Sequence, residues 1–310
     1  MKPIAYTLVP LLLLSASPTI AGGPESASER GAEEQVDRQI VVTGQDIRNA
    51  TRTFVKQLQI PEYGGQYARW EAPLCLQMIG WQEEHAANVK SLIEITTREI
   101  GHDVAKAECR PNMAIVLTPD PDAFINRLRK SEPRIFNRFS RSQRQAATKG
   151  NHPVRLLLGA RDLNKDGRAI HFEGALAPPP GLEALGGISG SIVQGSGVGD
   201  SRIGTTVKSN FVAGVAVVDV DAIDGATFEG LSSYLAMRLL SGVPGNRIPE
   251  SGATVLQLFQ ALDEESDPPT ELSRWDIAFL RGLYKSTPAA RSVRQRGEIV
   301  RSMRKSLTLP

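Results

Sequence analysis

The chain has 310 residues, with 36 Lys and Arg against 34 Asp and Glu, a formal net charge of +2. That balance excludes bulk electrostatic binding of nucleic acid. The length allows one large domain or two small ones, in either case with a sizeable core.

The first stretch, MKPIAYTLVPLLLLSASPTIAGG, sets one basic residue, Lys2, ahead of an apolar run and then Thr19-Ile20-Ala21. Small residues three and one before a cut predict a secretory signal peptide over 1–21. The run is too short, and too broken by Pro10, to span a bilayer. No later segment is long and apolar enough for a membrane helix. The expected product is soluble and exported, either periplasmic or secreted. Residues 22–38, GGPESASERGAEEQVDR, are small and charged without apolar period, which predicts a disordered leader. The short run IVVTG after it reads as a strand.

From Gln45 the spacing predicts a helix with Ile47, Ala50, Phe54 and Leu58 on one face, ended by Pro61. APLCLQMIG reads as a strand. EEHAANVKSLIEITTREIG reads as a helix striped by Val89, Leu92, Ile93, Thr96 and Ile100, with Gly101 at its end. NMAIVLT is a strand, and DPDAFINRLRKS a helix capped by Asp120 with Pro121 in its first turn. The two cysteines, Cys75 and Cys109, lie at the approaches to these two strands. An oxidising compartment favours a disulfide between them over two buried thiols. Closing that loop is worth about 4 kcal/mol in the chain-entropy model.

Arg127 to Lys149 is basic, with Arg134, Arg138, Arg141 and Arg144 around Phe136 and Phe139. Its irregular spacing, bracketed by Pro133 and Gly150, reads as a solvated, mobile connection anchored by the two phenylalanines. It is not read as a specific nucleic-acid site. HPVRLLLGARD, NKDG and RAIHFEGAL then read as a hairpin, because Asp-Gly between strand-like runs is a turn signal. The same residues match a calcium-loop pattern through Asp162, Asn164, Asp166, Gly167 and Glu173. The strand-like flanks favour the hairpin, and the match leaves a calcium-stabilised interaction module as an alternative. PPPGLEALGGISGSIVQGSGVGDS reads as a flexible loop. Its serines fail the G-x-S-x-G test, and no helix follows its glycines to hold a pyrophosphate.

FVAGVAVVDV reads as a buried strand. TFEGLSSYLAMRLLSG follows as an amphipathic helix with Phe228, Leu231, Leu235 and Leu239 on its apolar face, ended by Gly242 and Pro244. After ATVLQLF, Ser273 and Asp276 form a capping box for SRWDIAFLRGLY. Beyond Pro288, Val293, Val300, Met303 and Leu307 predict one face of a basic amphipathic helix, crowded by Arg291, Arg294, Arg301, Arg304 and Lys305. Its narrow apolar stripe, free of aromatics, favours docking on the domain over lying on an anionic membrane.

The run from FVAGVAVVDV through that helix to ATVLQLF and LSRWDIAFLRGLY resembles the zincin-like metallopeptidases. The chain also resembles, over CRPNMAIVLTPDPDAF, VAVVDVDAIDG, LSSYLAMRLLSG and LSRWDIAFLRGLY, an uncharacterised group of exported alphaproteobacterial proteins. The resemblance implies an α+β fold, a small mixed sheet packed against helices over residues 39–287, with an added basic helix over 288–310. It supplies no catalytic residue. Where the peptidases carry H-E-x-x-H, this helix sets Ser233 for the first ligand, Tyr234 for the general base and Met237 for the second ligand. Its only carboxylate is Glu229. The four histidines, His85, His102, His152 and His171, lie off the helix, and none falls three or four residues from another. One carboxylate cannot hold zinc and activate its water.

The resulting expectation is an exported, non-catalytic binding or accessory protein of the cell envelope, with no cofactor. Its expected partner is an envelope protein or an anionic envelope surface. An envelope hydrolase with an unrecognised site is the other alternative.

Overall fold

The computed structural model describes residues 44–164, 180–187 and 207–308. The expected signal peptide, leader, turn and return strand of the hairpin, and most of the Gly-rich loop, lie outside the described residues.

Helix α1 (Gly44–Gln57) buries Thr51, Phe54 and Val55. Strands β1 (Glu62–Tyr63) and β2 (Gln66–Tyr67) then form a small antiparallel pair. Gly64 and Gly65 turn it with φ of 56° and 76°, a geometry that disfavours side chains. After β3 (Arg69–Trp70) come β4 (Leu76–Ile79), α2 (Glu83–Glu99), β5 (Met113–Thr118) and α3 (Pro121–Ser131). The strand-helix-strand-helix order and the Asp120 cap, which accepts from Ala123 N–H at 2.8 Å, match the expectation. The buried side of α2 is Val89, Ile93 and Thr97, so Thr97 takes the place expected of Thr96.

The basic stretch is not a mobile connection. It folds into α4 (Pro133–Phe136) and α5 (Arg141–Lys149), the latter capped by a reciprocal Ser140–Gln143 box. Both Phe136 and Phe139 are buried. Next come β6 (Val154–Asn164), β7 (Val207–Asp219), α6 (Phe228–Ser241), α7 (Leu258–Asp263), α8 (Arg274–Lys285) and α9 (Ser292–Thr308). The Ser273–Asp276 capping box of α8 is present, with Ser273 Oγ accepting from Asp276 N–H at 3.1 Å.

Strand β7 is the spine of a five-stranded sheet. Antiparallel β6 takes one of its edges. The other is shared by β3 and by β5, both parallel to it, with β4 outside β5. A strand buried on both faces should be apolar throughout, and β7 is nearly so. Ala213, Val215 and Val217 face a core built with α3, α4 and α5. Ala216 and Val218 face a larger core built with α1, α2, α6, α8 and α9. Phe211 would belong to the first set by simple alternation. Ala213 pairs with Gly159 and Phe211 with Ala160, so Val212 is an extra residue. This bulge turns Phe211 onto the larger core, beside Trp70 at 5.7 Å between ring centroids. The expected mixed sheet packed against helices is therefore present. It carries helices on both faces, a layered α/β arrangement.

Two helices differ from expectation. α6 is buried from Gly230 to Ser241 except at Ser233, so it is a core helix and not an amphipathic one. Trp70 Nε1 donates to its Leu239 carbonyl at 2.8 Å and Tyr284 Oη to its Leu240 carbonyl at 3.1 Å. Gly242 closes it with φ of 70°, and a Cβ there would stand 2.9 Å from the Phe211 ring. α9 docks on the domain, with Met303 buried and Val300 and Leu307 packed against the core as expected, and it also buries Ser292, Gln295 and Ile299. Val293, expected on the apolar face, is 76 % exposed. A polar anchor sets that rotation: Gln295 Oε1 accepts from Tyr67 N–H at 2.8 Å, and its amide donates to the Thr287 and Pro288 carbonyls at 3.2 Å.

Candidate functional site

The peptidase-like positions on α6 do not converge. Glu229 is exposed in the first turn, where a carboxylate suits the positive end of the helix. Ser233 is half-buried. Tyr234 and Met237 are both fully buried.

Around Tyr234 the structure assembles a polar cluster that the sequence did not announce. His152, just ahead of β6, places Nε2 3.0 Å from Tyr234 Oη. Its Nδ1 lies 3.1 Å from the Val154 N–H and 3.0 Å from the Val154 carbonyl oxygen, so the tautomer sets which of Nε2 and the phenol donates. Arg238, one turn along α6, donates to the Val154 carbonyl at 2.7 Å and to the Val243 carbonyl at 3.3 Å. Its guanidinium lies 5.6 Å from the Tyr234 ring centroid. Phe259 closes the cluster edge-on, with ring centroids 4.8 Å from Tyr234 and 5.8 Å from His152. At Gly245 a Cβ would come within 2.5 Å of both His152 Nε2 and Tyr234 Oη, so only glycine lets that loop pass.

The electrostatics follow from this enclosure. Burial, and then the Arg238 charge, push His152 down to about 4, against the opposing hydrogen bonds to backbone. The ring is neutral across the range in which a histidine base works. Burial raises the Tyr234 phenol above its ordinary value, so it stays protonated. Arg238 has no carboxylate partner among the described residues. Carbonyls and the phenol oxygen solvate it, which suits a buried guanidinium. The cluster ties the start of β6, α6 and the loop after α6 together. It presents neither an activated nucleophile nor a base of ordinary strength.

The other expected site residues lie elsewhere. Cys75 and Cys109 are disulfide-bonded with Cα atoms 6.2 Å apart, and Cys75 leads directly into β4. Asn112 fastens the same point, its side chain accepting from Cys75 N–H at 2.9 Å. Of the calcium-loop residues, Asp162 and Asn164 are strand residues of β6, paired with Ser209 and Val207 of β7. The Asp162 carboxylate accepts from Ser209 Oγ at 2.6 Å. Asp166, Gly167 and Glu173 lie outside the described residues. His85 packs at a tilt against Phe228, and His102 against Tyr284. Among the described residues, no three His, Cys, Asp or Glu side chains come together as a metal site would require. Among the same residues, no helix is long and apolar enough to cross a membrane.

His152 and Arg238 were the residues missed. Arg238 left a signal, as the one cation inside the apolar run LAMRLLS. His152 left none, because its partner lies 82 positions away. No protein-family model, curated protein or solved structure matches this chain.

Proposed function

We propose that the protein is an exported, non-catalytic binding or accessory protein of the cell envelope, built on a metallopeptidase-like fold that has lost its zinc ligands. One observation carries this reading. On the helix that follows the central strand, Tyr234, which the resemblance sets at the general base with Ser233 and Met237 at the ligand positions, is hydrogen-bonded to His152 and sealed under Phe259. The succession of β7, α6, α7 and α8 supports the fold part of the reading. The Cys75–Cys109 bridge supports export, since disulfides persist in oxidising compartments.

The test is metal content by elemental mass spectrometry on protein purified without added metal, together with a peptidase assay. The expected result is no stoichiometric zinc and no hydrolysis. Zinc near one per chain with hydrolysis lost on chelation would overturn the reading.

A further inference from the structure

From the pairing of α1 with α9 we infer a second site, a cationic groove that binds the phosphate headgroups of an anionic lipid surface. The groove has a volume of about 440 Å³. Its α1 wall carries Arg48, Arg52 and Lys56, spaced four residues apart so that they form one stripe. Its α9 wall carries Arg301 and Arg304, and exposed Val293 lines the same groove. None of these five cationic side chains makes an ion pair or hydrogen bond among the described residues. Arg296, also on that wall, is held by Glu62 and the Tyr67 hydroxyl. The nearby carboxylate on α9, Glu298, is taken by Arg294 and Thr287.

Folding does not call for this arrangement, because like charges one turn apart repel. A polyanion removes the repulsion. Three classes of polyanion compete, and the lining decides among them. Single-stranded nucleic acid binds through aromatic platforms, and the groove has none. A free phosphate needs a buried, convergent set of donors, whereas Arg48, Arg52, Lys56 and Arg301 are all exposed. Exposed cations flanking an exposed aliphatic side chain fit a bilayer surface, where long basic side chains reach headgroups and valine meets the acyl boundary. The docked face of α9 is already used by Ile299 and Met303, so the contact is peripheral and electrostatic and does not insert the helix. The inference rests on this surface alone, so its failure leaves the reading of α6 untouched, and the reverse.

The experiment is co-sedimentation of the full chain with vesicles of phosphatidylcholine, and with vesicles one third phosphatidylglycerol. The neutral vesicles report whatever the apolar N-terminal run contributes. Binding is expected only to gain from phosphatidylglycerol, and to fall steeply with added salt. The triple variant R48Q, R52Q, K56Q should lose about a hundredfold in that gain. The pair R301Q, R304Q reads the opposite wall and serves if the first variant does not fold. R141Q on α5 should bind as the native chain does. Equal binding to both vesicle types, or native binding by both groove variants, would overturn the proposal. So would a duplex DNA oligonucleotide bound more tightly than vesicles and lost in the same variants.

Discussion

Two helices that read alike in sequence do opposite things in the molecule. Both α6 and α9 set arginine among aliphatic residues, one in α6 and four in α9. In α6 that arginine is taken inside, solvated by two carbonyls, and surrounded on every side by strand, helix and ring. In α9 the cations stay outside while one narrow face docks. Burial decides which polar groups are fastened and which are available. On α6, where the resemblance to peptidases would look for chemistry, Tyr234, Arg238 and Ser241 are fastened to His152 and to backbone carbonyls. On α9 Gln295, Arg296 and Glu298 are fastened too, and Arg301 and Arg304 are left available.

The strongest way to break this comparison is to remove Arg238. Arg238→Ala leaves the Val154 and Val243 carbonyls short of a donor inside the core and opens space beside Tyr234. A loss of about 3 kcal/mol in unfolding free energy is expected by denaturant titration. A loss under half of that would show that water reaches the cluster and that α6 is less sealed than the geometry implies.

His152 gives a pH-dependent version of the same test. Its pKa falls from about 6.5 unfolded to about 4 folded. The unfolded chain therefore binds the extra proton between those values. The stability contributed by the neutral ring is complete above about pH 6.5 and is lost as pH falls to about 4, in all about 3 kcal/mol. His102, also lowered by burial, adds in the same direction, while Asp276, raised by burial, opposes at the acid end. His152→Gln should flatten most of the slope. An unchanged slope would assign it to another group. Tyr234→Phe is milder. It takes the hydrogen-bond partner from His152 Nε2 and leaves packing intact, so about 1–2 kcal/mol is expected.

The legibility of these features follows their range in sequence. Helices with local caps, such as α3 with Asp120 and α8 with Ser273 and Asp276, were readable because the cap and the capped N–H lie within three residues. β7 was readable from its apolar run. The face of α9 was readable only in part: Val300, Met303 and Leu307 pack against the core, but Val293 does not, because Gln295 docks the helix by bonding Tyr67, 228 positions away, and a buried glutamine breaks the apolar stripe that periodicity relies on. α6 misled for the opposite reason. Its small polar residues, Ser232 and Ser241, count as a polar face in sequence but are buried; Ser241 bonds its own helix, donating to the Met237 carbonyl. The shift of Phe211 to the larger core depends on a bulge that no alternation pattern contains.

The smallest effects should fall on the outer face of α9, and their smallness is the point. Val293 is 76 % exposed, so Val293→Ser removes almost no buried area and should change stability by no more than about 0.5 kcal/mol. Neutralising Arg48 or Arg52 on α1 removes like-charge repulsion one turn apart, worth about 0.2–0.5 kcal/mol per pair. Those variants should melt at or slightly above the native temperature. A clear destabilisation would mean that these cations hold the fold together, and the distinction between fastened and available groups would then fail at the surface where it matters most. Stability kept while lipid binding is lost separates the two roles, because a residue retained for folding cannot be removed without cost to the fold.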